Sequence, residues 1–347
     1  MKKKTIKELG EFGLITHLTS DVHCKRASTV YGIGDDCAIF NHKNRDSLVT
    51  SDMLMEGIHF DLVYTPLKHL GYKAVVVNLS DIYAMNGTPE QIVVSIALSS
   101  KFSLKAIEEL YDGIKEACRR YNVDFVGGDT TSSMTGLAIS ITALGSVEKG
   151  KAVKRNTAGD KELICVSGDL GASYLGLQLL KREKKIFMKD PKIQPELDKY
   201  PYLIERQLKP EARKDIIRQL NDNSILPTSM IDLSDGLSSD LLHIATQSKL
   251  GCRLYEDKLP IAMETQQAAE EFYLDPSIPA LNGGEDYELL FTIALKDHEK
   301  IQQIPGISII GHMIPEKEKY MLVARNGKEI PLEAQGWNAL NRSGESL

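Results

Sequence analysis

From Leu67 to Met85, "LKHLGYKAVVVNLSDIYAM", apolar side chains recur at helical spacing, with Pro66 ahead of them and Asn86-Gly87 behind, which predicts a helix. Residues 91–98, "QIVVSIAL", predict a buried strand, and residues 104–120 an amphipathic helix. "VDFVGGD" and "LAISITALGSV" follow as strands around a glycine turn. Upstream, residues 5–19 have helical spacing, and "GIGDDCAIF" and "SLVTSDMLM" look like strand edges joined by acid-rich turns. A polar stretch, "GKAVKRNTAGDK", then interrupts the pattern, which restarts at "ELICVSGDLGASYLGLQLL". This predicts two domains, 1–150 and 151–347.

The second half continues with a charged stretch (181–215), strand "TSMIDL", helix 237–249, strand "CRLYE", helix 264–273, strand "YELLFTIAL" and two short strands near 307–325. Strands and helices interleave in both halves, so the expected class is α/β (α+β), with sheets covered by helices. The segment 181–200 is expected to be a solvated insertion without chemistry.

Composition narrows the function. A chain of 347 residues, 42% hydrophobic, can bury a substantial core, and its length suits about two domains. A net charge of −6 with no basic stripe argues against a nucleic-acid binder. Runs such as "AVVV" and "IVVSIAL" are too short to span a bilayer, and "MKKKTIKELGEFGLI" lacks the apolar stretch of a signal peptide. Five scattered cysteines, an odd number without a C-x-x-C pair, suggest neither a disulfide framework nor a zinc site. The expectation is a soluble, cytoplasmic protein.

Acids recur at junctions beside small residues: Asp35 and Asp36, Asp52, Asp81, Asp129, Asp232 and Asp235, Glu285 and Asp286. Each can be explained as a turn former or helix cap. Together they suggest more, because two like charges about 4 Å apart repel by ~4 kcal/mol at an effective dielectric near 20, and a converging set needs a cation. Hard divalent ions such as Mg²⁺ suit carboxylates and phosphates, so such a site would take a nucleotide triphosphate through metal. The phosphate-binding loop G-x-x-x-x-G-K-[ST] and the protein-kinase elements H-R-D-L and D-F-G are absent from the sequence.

In order, "GIGDDCAIF", "TSDMLMEGIHF", "GYKAVVVNLSDIYAMNGTP", "FVGGDTT", "VSGDLGAS", "MIDLSDGLSSDL" and "NGGEDYELLF" span residues 32–291. The series resembles the thiamine-monophosphate kinases, in a superfamily with aminoimidazole ribonucleotide synthetase, selenophosphate synthetase and a hydrogenase-maturation enzyme. The resemblance implies a two-domain architecture like that of aminoimidazole ribonucleotide synthetase, with N-terminal sheets pairing across a homodimer. It implies direct in-line transfer of phosphoryl from ATP to thiamine monophosphate, dependent on several Mg²⁺ ions, as the last step to thiamine diphosphate. The first domain would bind ATP and Mg²⁺ and dimerise; the second would complete the metal and substrate site.

Carried over by position, the metal ligands would be Asp36, Thr50, Ser51, Asp52, Asp81, Asp129, Asp232 and Asp235. Gly128, Asp129, Arg155 and Ser234 would meet the nucleotide, and His59, Glu285 and Trp337 the substrate. The resemblance provides no covalent nucleophile. The family tail after the aromatic residue commonly ends His-Phe, where this chain has Ala339-Leu340.

Overall fold

A computed structural model describes residues 29–31, 34–42 and 44–334. The expected helix at 5–19 and Trp337 lie outside them. The first sheet has six strands in the order β1-β2-β3-β6-β4-β5. Its strands are β1 (Thr29–Tyr31), β2 (Ala38–His42), β3 (Arg45–Met55), β4 (Thr88–Leu98), β5 (Asp124–Ser132) and β6 (Ala138–Glu148). Pairing is antiparallel except between β4 and β5.

Helices α1 (Leu67–Ala84) and α2 (Leu104–Tyr121) follow the predicted spans closely. α1 is apolar nearly all round and is buried along most of its length, as such helices must be. α2 is amphipathic, is capped by the Ser103 hydroxyl, which accepts from the Ala106 N–H at 3.2 Å, and ends at left-handed Asn122. The two helices touch at glycines. A Cβ on Gly71 would lie 2.0 Å from the Leu110 carbonyl oxygen, and one on Gly113 1.8 Å from that of Lys68.

The second sheet has seven strands in the order β13-β12-β9-β11-β7-β10-β8. They are β7 (Leu163–Ser167), β8 (Ser229–Asp232), β9 (Leu250–Tyr255), β10 (Leu289–Ile293), β11 (Ile307–Pro315), β12 (Tyr320–Val323) and β13 (Glu329–Pro331). Strands β7, β8 and β10 are buried on both faces. Cys165, Met230 and Phe291 join the apolar cluster that contains Val75, Leu79 and Ile82 of α1. Their neighbours Ile164, Ile231 and Leu290 face a second cluster with Leu237 and Leu241. The two sheets divide by sequence near residue 150, whereas one apolar core runs continuously from the first into the second.

The charged stretch departs from expectation. α3 (Ala172–Lys189) continues well into it, and α4 (Pro201–Leu208) and α5 (Lys214–Asp222) follow. The solvated-insertion reading holds for residues 187–196, which are exposed throughout, and needs correction at the start of the segment: Glu183 is buried, accepting from the Arg182 Nε–H and the Glu196 N–H, and Lys184 pairs with Asp61. Strong local charge concealed helices whose apolar faces are short. The remaining helices are α6 (Leu237–Gln247), α7 (Met263–Glu271), α8 (Ser277–Asn282) and α9 (His298–Ile301).

Candidate metal and substrate site

Strand period two decides which acids meet. On β3, Thr50 and Asp52 lie on the face that α1 covers, and Ser51 lies on the other. The Thr50 hydroxyl donates to Asp81 Oδ2 at 2.6 Å, and the Asp52 N–H donates to Asn78 Oδ1 at 3.0 Å. Asp81 sits in the last turn of α1 and Asp232 ends β8, paired with Leu289 of β10. Asp36 arrives from the turn before β2. Oxygens of Asp36, Asp81 and Asp232 lie within 4.8 Å of one another.

Burial and mutual repulsion set the electrostatics. Desolvation first, then the charges of Asp52, Asp232 and Asp36, push the Asp81 carboxyl far above its ordinary range, against the lowering bond from Thr50. Asp232 is likewise raised by burial and by Asp36, with the Ser80 hydroxyl and Arg155 opposing. Burial foremost, then the surrounding carboxylates, keep the Cys37 thiol protonated, so the donors here are hard oxygens. Buried carboxylate oxygens at this spacing fit a hard divalent cation such as Mg²⁺.

Arg155 is the cation that meets this cluster. Its Nε–H donates to Asp36 Oδ2 at 3.0 Å, its second nitrogen reaches Asp36 Oδ1, and its backbone N–H donates to Asp35 Oδ2 at 2.9 Å. Its carbonyl accepts from Ser229 Oγ at 2.8 Å, so the linker between the sheets is fixed at this point. A carboxylate in a two-pronged arginine pair keeps a further lone pair on each oxygen. Arg155 can therefore moderate Asp36 while Asp36 serves another ligand.

Asp235 falls in a neighbouring group with Asp240 and His243, whose ligand atoms also lie within 4.8 Å of one another. Neither Ser234 nor Asp235 caps α6; Gly236 occupies that position without a side-chain cap. The acceptor is Asp240, whose Oδ2 takes the N–H groups of Asp235 at 3.2 Å and Gly236 at 3.1 Å. Sequence reasoning missed Asp240 and His243, although "DLSDGLSSD" displays the second acid one helical turn on.

Two expected metal ligands, Ser51 and Asp129, and one expected nucleotide contact, Gly128, stand apart. The Ser51 hydroxyl donates to the Ile141 carbonyl at 3.2 Å and lies 3.0 Å from Thr142 Oγ1, on the face away from Asp81. Asp129 is exposed on edge strand β5, with Oδ1 accepting from the Thr130 N–H at 2.8 Å. Gly128 has a packing explanation, since a Cβ there would lie 1.8 Å from the Val94 carbonyl oxygen.

Of the residues expected to meet the substrate, Glu285 is held by two partners. Its Oε1 lies 2.8 Å from Lys73 Nζ, and its Oε2 accepts from Gln207 Nε2 at 2.9 Å. Residues 285–288 are laced to 233–234: the Glu285 N–H donates to the Ser234 carbonyl at 2.8 Å and the Tyr287 N–H to that of Leu233 at 2.9 Å. The phenol of buried Tyr287 is pushed far up, by burial first and then by the charges of Glu285, Asp52, Asp232 and Asp81, so it lies within electrostatic reach of both groups. The phenol of Tyr64 is pushed up to about 12, by burial first and then by Asp61 and Glu285. His59 belongs to the same loop, and its Nδ1 accepts from the Met55 N–H at 3.0 Å, which assigns the proton of the neutral ring to Nε2. The signal for Lys73 was legible: a lysine directly before the apolar run Ala74–Val77 of α1.

Comparison with known proteins bears on this arrangement. The family model for AIR synthase related protein, N-terminal domain, matches residues 34–147. Thiamine-monophosphate kinase from Bacillus subtilis is 33% identical over 341 residues, covering 95% of this chain and 99% of the relative. The protein of that name from Aquifex aeolicus is 34% identical, covering 96% and 98%. A solved structure of AaThiL complexed with AMPPCP and TMP is 32% identical, covers 97% of this chain and 99% of its own, and superposes with a TM-score of 0.81.

Proposed function

This chain belongs to the thiamine-monophosphate kinase family, and from that premise we propose a mechanism and an assembly for it. It is an ATP-dependent kinase that phosphorylates thiamine monophosphate to thiamine diphosphate. The observation that carries the mechanism is the convergence of Asp36, Asp81 and Asp232 from three separate elements.

Asp36, Asp81 and Asp232 would hold Mg²⁺, with Asp52 and the backbone at Thr50 beside them and Asp235 at the margin. Bound Mg²⁺ supplies charge neutralisation for the phosphates. Arg155 moderates the charge of Asp36 and faces the nucleotide; Ser234 meets the nucleotide from the second half. Glu285 and His59 bind the acceptor. The acceptor is a phosphate monoester, already largely ionised near neutral pH, so these residues need only align it and need supply no base.

We propose a homodimer built on the open face and edge of the first sheet. Met53 and Met55 lie exposed on the face of β3 away from α1, and Val126 on edge strand β5 and Val30 on β1 at the opposite edge are each more than half exposed. β5 is exposed along its whole length. Apolar strand surface of this kind suits pairing with a second copy. Asp129 and Gly128 would then reach a site completed at that interface. The cytoplasm is the proposed location.

Coupled detection of ADP release with thiamine monophosphate, run beside a panel of other phosphate monoesters, tests the reading. Turnover should require Mg²⁺ and favour thiamine monophosphate. Equal rates across the panel, or none with thiamine monophosphate, would overturn it.

A further inference from the structure

We propose that Lys73 is a positioning residue for the acceptor: together with Gln207 it fixes the Glu285 carboxylate so that its remaining lone pairs accept an N–H from the amino group on the acceptor's pyrimidine ring. This rests on the reading that Glu285 meets the acceptor.

The lysine side chain is 6% exposed and the carboxylate 28%, so the pair has a buried anchor and an accessible tip. Lys73 Nζ donates to the Gln207 carbonyl at 3.0 Å as well as facing Glu285. Gln207 is itself oriented by Ser173, whose Oγ donates to its Oε1 at 2.5 Å. Both carboxylate oxygens are therefore held from behind, and each keeps lone-pair capacity on its open side.

Stability alone is a poor reason for this arrangement. A buried lysine–carboxylate pair is often no better than apolar residues of similar volume, because both charges must be desolvated. The backbone points the same way: Glu285 has φ +64° and Tyr287 φ +51°, conformations that non-glycine residues adopt at a cost. The adjoining Gly284 is forced, since a Cβ there would lie 2.3 Å from the Ser234 carbonyl oxygen. Strain, a buried charge and a tight approach all serve to present one carboxylate.

Helix α1 gives the arrangement its scale. Lys73 and Asp81 are eight residues apart on it, roughly 12 Å along the axis at 1.5 Å per residue and about 80° apart around it at 3.6 residues per turn. One rigid helix thus holds a member of the metal-binding cluster at one end and the support of Glu285 at the other. An acceptor with its phosphate at the acids would extend its ring toward Glu285, and α1 fixes that span.

The test is steady-state kinetics of the full chain with ATP and thiamine monophosphate on Lys73→Met, Gln207→Met, Glu285→Ala and the Lys73→Met/Glu285→Ala double variant. Lys73→Met should raise KM for thiamine monophosphate about 10- to 100-fold, as loss of a charged hydrogen-bond partner does. KM for ATP and kcat should stay within about threefold, and the double variant should match Glu285→Ala. Should Lys73→Met fail to fold, Gln207→Met carries the test with a smaller rise of the same kind. Additive effects in the double variant, or equal rises in both KM values, would overturn the proposal. A normal acceptor KM in Glu285→Ala would remove the underlying reading itself; a raised one there beside a normal one in Lys73→Met would sink the Lys73 role alone.

Discussion

Two buried groups of acids are treated in opposite ways. Glu288 is answered on both oxygens: its Oε1 accepts from Arg206 at 3.0 Å, and its Oε2 takes the Ser167 hydroxyl at 2.5 Å and a contact from Arg213. Arg213 also holds Asp215 at 2.8 Å, and Arg206 donates to the Asp169 carbonyl at 3.0 Å. Around Asp81, by contrast, Asp36, Asp52 and Asp232 crowd together, and Arg155 is bound to one of them. A balanced group is finished by folding; an unbalanced one is finished only by a ligand. Burial alone therefore does not mark a functional acid. The sign of what surrounds it does.

The strongest way to break this contrast is to neutralise one member of the unbalanced group. Asp232→Asn or Asp81→Asn should lower turnover at least about 100-fold, since the lost group acts on charge in the transition state. Without divalent ions its melting temperature should equal or exceed that of the parent, because a repelling buried charge has gone. Mg²⁺ should raise the parent's melting temperature, as any ligand specific for the folded state does, and raise the variant's far less. Near-parental turnover in a folded variant would dissolve the distinction.

The balanced group should respond the other way. Arg213→Met removes one of two arginines from a buried carboxylate and should cost about 3 to 5 kcal/mol of stability by urea unfolding. Folded material should keep its turnover within severalfold. Parental stability would mean that Glu288 is not held as described.

How much of this was visible in the sequence follows from the range of the forces. Helices α1 and α2 and the strands β4 and β6 declare themselves through local periodicity, and the structure places them where the pattern does. Asp36, Asp81 and Asp232 could be suspected singly, as acids beside small residues. Their convergence is a long-range fact, produced by the apolar core that spans both sheets. The balanced network was hidden because Arg206 and Arg213 lie in the charged stretch 181–215, where no local pattern sets one arginine apart from another. Lys73 and Gln207 belong to one constellation yet sit 134 positions apart, and no local pattern couples such residues. Trp337 lies beyond the described residues.

Strand alternation supplies the finest test, because Thr50 and Ser51 are neighbours with similar hydroxyls on opposite faces of β3. The Thr50 hydroxyl donates to Asp81 at 2.6 Å, while Ser51 bonds across the sheet to the Ile141 carbonyl. A bond to a charged group contributes roughly 1.5–3 kcal/mol, a neutral one on an exposed face about 1 kcal/mol or less. Thr50→Val should therefore lower kcat/KM about tenfold, with a greater dependence on Mg²⁺ concentration as Asp81 loses its support. Ser51→Ala should change kcat/KM by less than about twofold and shift the urea midpoint only slightly, any ligation at that position passing through the backbone, which alanine retains. Equal losses from the two substitutions would mean that face does not separate them, and the division between the two sides of β3 would fall.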